Sequence, residues 1–386
     1  MKEGSVREEI ATSIDPVMKY PSLLLFLLLL SIGSHSQVCQ FEKIAGSNDF
    51  IYPQQSVDSL LQLSKYTAII YGETHTTHFE PAFKYHFLKH LNQSYGFRDV
   101  FVETGQAMAW LYNKYLETGD TIYFHPLGLH VKYTAGYMWP AYRQDFWPRL
   151  YAYNQTLPPS KRFVFHGTDF ERRESLGVLL MLIPQGSVVP PGLEPLFADI
   201  RAYIHDRSWQ DFSKEADLKY DRVRLGFLQA DHDVQTLYGE HYAVVRSIID
   251  NTARQQTNWR PRNKTMSAEI KRVAKADGIN KMVGFFGSFH TDYRNPSAIP
   301  NNVNELSPFK GRTLNITAIY YNAVIYDGSV VPFIRPNLKA NICTGLYSKF
   351  LDEDHRATIV STKATGERSL IRNADYILLA NDTTSH

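Results

Sequence analysis

The feature that most constrains the fold is a set of four short apolar segments, each ending at or just before a glycine or an acidic residue. These segments are 66–71, 99–103, 162–167 and 282–287. Apolar residues run through them without alternation, a pattern typical of strands that are buried on both faces. Apolar residues at helical spacing follow the first two segments, at 80–91 and 107–116. Strands and helices in this order predict an α/β fold, with a mostly parallel sheet covered by helices.

The stretch from 193 to 275 has a different pattern. It contains almost no strand signal, and its long amphipathic runs, such as 220–249, predict helices. Beyond it, 316–326 and 330–334 are predicted to be closing strands. We therefore predict that residues 37–386 form a single α/β domain with a helical lobe at about 193–275.

The N-terminal region has the pattern of a signal peptide. Residues 23–30 are continuously apolar, Lys19 precedes them, and Ser34 and Ser36 stand at the −3 and −1 positions of a cut after Ser36. The run is shorter than the roughly 20 apolar residues of a membrane-spanning helix. We predict that residues 1–36 are removed, with Met1 or Met18 as the start. The mature protein is expected in the periplasm or outside the cell, without a stable membrane anchor. An uncleaved signal anchor is the alternative.

Charge and small motifs exclude several functional classes. The formal net charge is +2, whereas nucleic-acid binding usually needs a strongly basic patch, so we expect no nucleic-acid partner. The sequence contains neither the Gly-x-Ser-x-Gly turn of serine hydrolases nor a Gly-x-x-x-x-Gly-Lys phosphate loop. Its two cysteines, Cys39 and Cys343, would form one disulfide bond in an exported chain or remain as thiols.

Polar residues that can activate water follow the predicted strands. They are Glu73 and His75, then Glu103, then His166 and Asp169, and finally His290 and Asp292. The carboxyl ends of parallel strands meet at one edge of the sheet, where open α/β sheets bind their ligands. Carboxylates and imidazoles in one crevice can activate water as a general base or by holding a metal ion. A lone histidine after a strand is more often structural, so this prediction depends on several such residues occurring together.

The same segments resemble the motifs of the erythromycin esterase-like family. The stretch 69–75 (IIYGETH) is similar to the opening motif of that family. The similarity continues, in order, through 102–105 (VETG), 113–119 (NKYLETG), 147–154, 165–170 (FHGTDF), 258–262 (NWRPR) and 284–290. It covers roughly residues 55 to 330, which is most of the predicted mature chain.

The resemblance implies an exported hydrolase that activates water and forms no covalent intermediate. It would cleave an ester or related acyl bond of a small-molecule ester or lactone, and no cofactor would be required. His75 would be the general base, Glu73 and Glu103 would orient it or the water, and His290 would assist at the oxyanion. The residues expected to bind substrate are Arg260, Arg262, Asp169 and His166.

The spacing of the opening motif departs from the family. Only Thr74 separates Glu73 from His75, whereas the family usually has two residues there. This spacing is similar to that of two related groups, the Tiki-type metalloproteases and the ChaN-type haem-binding lipoproteins. A metal-dependent peptidase or amidase is therefore the second hypothesis, with zinc or manganese held by His75, Glu103 and His290. A haem-binding protein is the third.

Overall fold

The secondary structure is described by a computed structural model over most of the chain. The described residues are 38–44, 49–73, 77, 79–124, 146–206, 213–252, 262–321, 323–325, 333–335, 350–351, 354–365 and 374–381. The strands are β1 (Val38–Glu42), β2 (Ala68–Glu73), β3 (Asp99–Val102), β4 (Val164–Gly167), β5 (Met282–Gly287), β6 (Thr313–Tyr321), β7 (Ala323–Ile325), β8 (Phe333–Arg335), β9 (His355–Ser361) and β10 (Tyr376–Asn381).

Helices separate most of these strands along the chain. They are α1 (Gln54–Leu61), α2 (Phe79–Tyr95), α3 (Gln106–Thr118), α4 (Trp147–Gln155), α5 (Arg173–Met181), α6 (Glu194–His205), α7 (Lys214–Gln229), α8 (Asp231–Tyr238), α9 (Tyr242–Thr252), α10 (Arg262–Ala276), α11 (Ser288–Thr291), α12 (Ile299–Val303) and α13 (Thr362–Thr365). Short 3₁₀ turns lie at Leu63–Lys65, Thr121–Phe124, Pro159–Lys161 and Gly239–His241. The described part of the stretch 193–275 is thus helical, and the domain boundaries given above stay a prediction.

Eight strands form one sheet in the order β1-β9-β10-β6-β2-β5-β3-β4. From β10 to β4 all neighbouring strands are parallel, and β9 is antiparallel to both β10 and β1. The predicted α/β fold with a mostly parallel sheet is therefore confirmed. The closing strand predicted at 330–334 has a different position: β8 pairs with β7 in a separate two-stranded sheet.

The central strand β2 contributes to two separate cores because its successive side chains point to opposite faces of the sheet. Ile69 and Tyr71 pack into the larger core, together with Phe83 of α2. Ile70 packs into a second core with Met266 of α10. All six residues of β2 are buried, which explains why its sequence shows no alternation of apolar and polar residues.

The loops that follow β3 and β4 lie in direct contact. A Cβ atom on Gly167 would come within 2.3 Å of the carbonyl oxygen of Gly105. The backbone N–H groups of Thr168 and Asp169 donate to the carbonyl oxygen of Thr104, over 2.8 and 2.9 Å. This contact places the residues after β4 beside those after β3.

The remaining sequence predictions concern export and the cysteines. None of the helices in the ranges given above is long and apolar enough to cross a membrane. Cys39 lies in β1, where burial raises the pKa of its thiol to about 12. Cys343 and residues 1–37 lie outside the described residues, so the disulfide bond and the signal peptide stay predictions.

The contact between the two loops gives a stability prediction. Gly167→Ala should lower the free energy of unfolding by about 1–3 kcal/mol, because the methyl group would overlap the backbone at Gly105. The matched control is Gly177→Ala in α5, where the nearest atom to the added Cβ would be 3.6 Å away. It should leave stability unchanged or raise it by up to about 1 kcal/mol. Urea denaturation measures both changes, and equal effects of the two substitutions would contradict the assigned contact.

Candidate active site

Glu103 occupies the centre of a polar cluster at the carboxyl ends of the parallel strands. Its Oε2 atom accepts a hydrogen bond from the backbone N–H of Gly287, 2.7 Å away at the end of β5. Its Oε1 atom accepts from Nη2 of Arg262 at 2.7 Å and lies 3.3 Å from Nε2 of His290. Because Val102 is opposite Phe285 in the sheet, the residue that follows β3 necessarily comes close to the end of β5.

Arg262, the first residue of α10, holds two carboxylates together. Its Nε atom donates to Oδ1 of Asp169 at 2.9 Å, and its Nη2 atom donates to the other Asp169 oxygen as well as to Glu103. Burial on its own would lower the pKa of Arg262, but hydrogen bonds and charge from Asp169 and Glu103 outweigh it and raise that pKa. The guanidinium therefore stays charged, and its planar fork suits this paired geometry.

His290, in the short helix α11, is oriented from both ring nitrogens. Nδ1 lies within hydrogen-bonding distance of Oδ1 of Asn263. The Asn263 oxygen can only accept, so Nδ1 carries the proton in this contact. Nε2 faces Glu103 and lies 3.4 Å from Nη1 of Arg262. The imidazole is 6% exposed, so its Nε2 edge has a fixed direction within the cluster.

Glu73, the last residue of β2, forms a buried ion pair with Lys84 of α2. The Lys84 ammonium also lies 5.1 Å from the centre of the Phe285 ring. Both charged side chains are almost completely buried. A buried ammonium needs a carboxylate partner to offset its loss of hydration, and Glu73 provides one.

A second buried carboxyl, Glu80, lies one helical turn before Lys84. Its Oε1 atom accepts hydrogen bonds from the Tyr71 hydroxyl at 3.1 Å and from the Tyr320 hydroxyl at 2.6 Å. Burial raises the pKa of Glu80 to about 7, against the lowering effect of the Lys84 charge. Glu80 is therefore a carboxyl that changes its charge near neutral pH.

Asn251 of α9 ties the helical stretch to the loop after β4. Its Nδ2 atom donates to the backbone oxygen of Asp169 at 2.7 Å and to Oε1 of Glu171 at 2.9 Å. The same Glu171 oxygen accepts from the backbone N–H of Gln106, at the start of α3, over 2.6 Å. These bonds hold Asp169 at a fixed distance from the loop that bears Glu103.

The predicted site residues divide into three groups. The structure brings Glu103, Asp169, Arg262 and His290 together and places Glu73 at the end of the neighbouring strand β2. His75 and Arg260 lie outside the described residues. His166 does not join the cluster.

His166 points toward the opposite edge of the sheet. Its Nε2 atom lies 2.9 Å from Oδ1 of Asp99, the first residue of β3, and its ring stacks on Phe101. Together with Arg98 and Lys281 it lines a cavity of about 380 Å³ at the amino ends of the strands. His166 would therefore not reach a substrate bound at Glu103. Its place near the end of β4 does not fix the direction of its side chain, which points toward the other end of the strand.

Three residues of the site were not identified from the sequence. Lys84 belongs to an amphipathic helix and has the appearance of a surface residue in the sequence. Asn263 and Glu80 acquire their roles through contacts with residues 27 and 240 positions away, His290 and Tyr320. The sequence does relate Glu80 to Lys84. The two residues are four positions apart, which places them on the same face of α2.

The metal hypothesis rests on one residue outside the described part. Among the described residues, no three histidine, cysteine or carboxylate side chains are grouped so that they could hold a metal ion. His75, the third member of the predicted ligand set, is not among them. Metal binding by His75, Glu103 and His290 therefore stays a prediction.

Comparison with solved structures identifies the fold. No family model and no curated protein sequence matches the chain. A solved structure of a mutant of the erythromycin esterase EreC, in its open conformation, has 12% identity and a TM-score of 0.60, over 90% of this chain and 99% of that one. This chain has the fold of an erythromycin esterase.

Two other solved structures share the fold. A protein from Bacillus cereus has 14% identity and a TM-score of 0.58, over 94% of this chain and 98% of that one. A succinoglycan biosynthesis protein has 14% identity and a TM-score of 0.60, over 90% of this chain and 95% of that one. At these identities the likeness establishes the architecture, and the chemistry has to be argued from the residues of the site.

The central position of Arg262 gives a second stability prediction. Arg262→Met should lower the free energy of unfolding at pH 7 by about 3–5 kcal/mol, because two buried carboxylates lose their cation. The control is Arg224→Met, which removes an arginine paired with the exposed Asp221 at 3.2 Å. Its cost should be below about 1 kcal/mol. Similar losses for the two variants, measured by urea denaturation, would show that Arg262 does not hold the site together.

Glu80 gives a prediction for the pH dependence of stability. Its pKa in the folded protein, about 7, exceeds the ordinary value of 4.5, so the folded state favours the protonated form. This contribution to stability is fully present below about pH 4.5 and is lost as the pH rises toward 7. Glu80→Gln should therefore remove part of the decline in stability between pH 4.5 and 8. Glu117→Gln, at an exposed residue of α3, should retain that decline.

Proposed function

We propose that the chain is a hydrolase that activates water to cleave an ester or related acyl bond. One observation carries the proposal: Glu103 is fixed by the Gly287 N–H and by Arg262 while it faces His290. A carboxylate, an imidazole and a guanidinium at the carboxyl edge of a parallel sheet form a suitable setting for acyl transfer to water. The fold shared with an erythromycin esterase supports this choice among hydrolases.

The roles are those that the resemblance to the erythromycin esterase-like family implies. His75 removes a proton from water, and Glu73 and Glu103 orient the base or the water molecule. The water oxygen forms a bond to the acyl carbon, the bond to the leaving oxygen breaks, and the proton passes to the leaving group. Arg262 borders the same point, so a negative oxygen that forms there meets a charged hydrogen-bond donor in a nearly dry environment.

Arg262 has little capacity left to bind a substrate. Of its five N–H groups, one at Nε and two at Nη2 are directed at Asp169 and Glu103, and one at Nη1 is directed at His290. A single Nη1 hydrogen remains for a substrate oxygen. We therefore assign Arg262 mainly to fixing the two carboxylates, and leave direct substrate binding to the single remaining hydrogen and to Arg260.

The charge of Arg262 favours the mechanism without a metal. A divalent cation held by Glu103 and His290 would lie next to a guanidinium that contacts both residues, and the two positive charges would repel each other. Both oxygens of Glu103 already accept hydrogen bonds. The residues present therefore suit an esterase that activates water directly better than they suit a metal-dependent peptidase or amidase.

The test of function is hydrolysis of a panel of activated esters and lactones by the purified protein. His75→Ala should reduce kcat/KM by about 10²–10⁴-fold, the usual contribution of a general base. The control is His232→Ala, at an exposed histidine on α8, which should retain wild-type activity. Full activity of the His75 variant would rule out His75 as the base.

Metal analysis and haem titration separate this proposal from the alternatives. Hydrolysis should persist after exhaustive dialysis against EDTA. Loss of activity that zinc or manganese restores, together with stoichiometric bound metal, would support the metal-dependent peptidase or amidase instead. A saturable change in the haem absorption spectrum, with no hydrolysis of any ester, would favour a haem-binding protein.

We further propose that the mature protein is exported and begins after Ser36. The support is the apolar run 23–30 with a basic residue before it and small residues after it. N-terminal sequencing of the protein recovered from outside the cytoplasm tests the proposal. A recovered chain that still carries residues 23–30 would indicate a signal anchor.

A further inference from the structure

An arginine without a carboxylate partner borders the polar cluster at the carboxyl ends of the strands. Arg172 lies between β4 and α5, in the same short segment as Asp169. Its side chain is partly buried. Within the described part of the chain, its guanidinium forms no ion pair and no hydrogen bond. A partly buried cation normally has an anion beside it, because the anion replaces the hydration that burial removes.

The ring of Phe170 connects Arg172 to the site. The Arg172 guanidinium carbon lies 5.6 Å from the centre of this ring, and that of Arg262 lies 5.2 Å from it. The two guanidinium carbons are therefore no further apart than the sum of these distances. Because Arg262 contacts Glu103 and borders the point where an ester would react, Arg172 lies within reach of the same substrate.

The two arginines differ in the donors that they have to offer. Arg262 directs four of its five N–H groups at residues of the cluster. Arg172 uses none of its five within the described residues. The adjacent carboxylate, Glu171, points toward the start of α3, where its Oε1 atom accepts from the backbone N–H of Gln106 at 2.6 Å. The planar fork of Arg172 is thus available to a ligand.

Tyr112 of α3 provides a second donor near Arg172. Burial raises the pKa of its hydroxyl to about 12, while the charges of Lys84 and Arg172 act in the opposite direction. The hydroxyl therefore lies within electrostatic reach of both cations. It makes no hydrogen bond within the described chain, and the residue is partly exposed. Its ring stacks on Trp147, with 4.4 Å between the ring centres, so the position of the hydroxyl is fixed.

The charges around Arg172 determine the kind of anion that it can bind. The carboxylates of the cluster and of the end of β2 already have a cation beside them, either Arg262 or Lys84. Arg172 adds one positive charge, which matches an anion with a single negative charge. Its fork fits the two oxygens of a carboxylate. A phosphate monoester carries about 1.5 to 2 negative charges at pH 7 and would exceed this one cation.

We propose that Arg172 anchors a carboxylate group of the substrate, which places an ester bond of the same molecule beside Glu103 and His290. The Tyr112 hydroxyl donates a hydrogen bond to the same carboxylate. The substrate is then an ester or lactone that also carries a carboxylate a few bonds from the bond to be cleaved. The position of the ester rests on the proposed hydrolase function, whereas the binding of a carboxylate by Arg172 does not.

The direct test measures the binding of benzoate to the full-length protein by isothermal titration calorimetry, with benzamide as the neutral ligand of the same shape. Benzoate should bind at least about tenfold more tightly than benzamide, because only benzoate can form a charged hydrogen bond with the guanidinium. Arg172→Gln should weaken benzoate binding about 10–100-fold. Arg172→Lys retains the charge but loses the fork, so its affinity should lie between those of the wild type and Arg172→Gln.

The matched control is Arg98→Gln, at the cavity formed by the amino ends of the strands. It should leave benzoate binding unchanged. The inference is overturned if the wild type shows no saturable binding, if Arg172→Gln binds benzoate as the wild type does, or if Arg98→Gln abolishes binding instead. Far-UV circular dichroism shows whether each variant is folded. If Arg172→Gln does not fold, Arg172→Lys and Tyr112→Phe carry the test, and wild-type affinity in both would contradict the proposal.

Two matched esters test the substrate class. They are the nitrophenyl half-ester of glutarate, which carries a carboxylate, and nitrophenyl pentanoate, which has a methyl group in its place. The wild type should prefer the half-ester in kcat/KM. Arg172→Gln should lower this preference about 10–100-fold, mainly through KM, since an anchor binds the ground state and the transition state alike. Arg98→Gln should retain the preference.

The outcomes of these assays separate the inference from the proposed function. A purely structural role of Arg172 would slow the hydrolysis of both esters equally and keep their ratio. If His75→Ala abolishes hydrolysis while Arg172→Gln retains the preference for the half-ester, the hydrolase proposal stands and this inference fails. If neither ester is cleaved but benzoate binds through Arg172, the carboxylate site stands and the hydrolase proposal fails.

Discussion

The arrangement of the site depends on one buried cation, the Arg262 guanidinium. Backbone contacts bring Glu103 and Asp169 together at the ends of β3 and β4, whatever their charge. Two carboxylates this close and this buried would repel each other if no cation lay between them. Arg262 provides that cation from the first position of α10 and also faces His290. The packing of α10 on the sheet therefore determines the electrostatics of the site.

The sheet was predictable because its signals are local. The unalternated apolar residues of β2 and β5 reflect burial on both faces. Each segment shows this pattern on its own, without reference to the rest of the chain. Once these strands are parallel and adjacent, the residues after them must share an edge. Strand order alone brings Glu103 and His290 close together. Predicting this proximity requires no knowledge of side-chain contacts.

The unpredicted parts depend on contacts between distant segments. β10, β9 and β1 extend the sheet by mixed pairing, and the β1–β9 pair joins 38–42 to 355–360, more than 300 residues away in the sequence. Lys84 resembles a surface lysine until Glu73 is placed beside it. The direction of the His166 side chain is another example, because its partner Asp99 lies at the start of β3 and a strand-end position does not fix which way a side chain points.

The division of the core into two clusters has a consequence for how this protein can vary. On the α2 face, Tyr71 packs in the same layer as the buried ionisable groups, so a substitution there alters both volume and proton affinity. On the α10 face, Ile70 and Ile270 pack among apolar neighbours, so a substitution there alters volume first. Because the same helix carries Arg262, a lineage with this fold can adjust the site indirectly, by moving α10 on the sheet through changes in apolar volume.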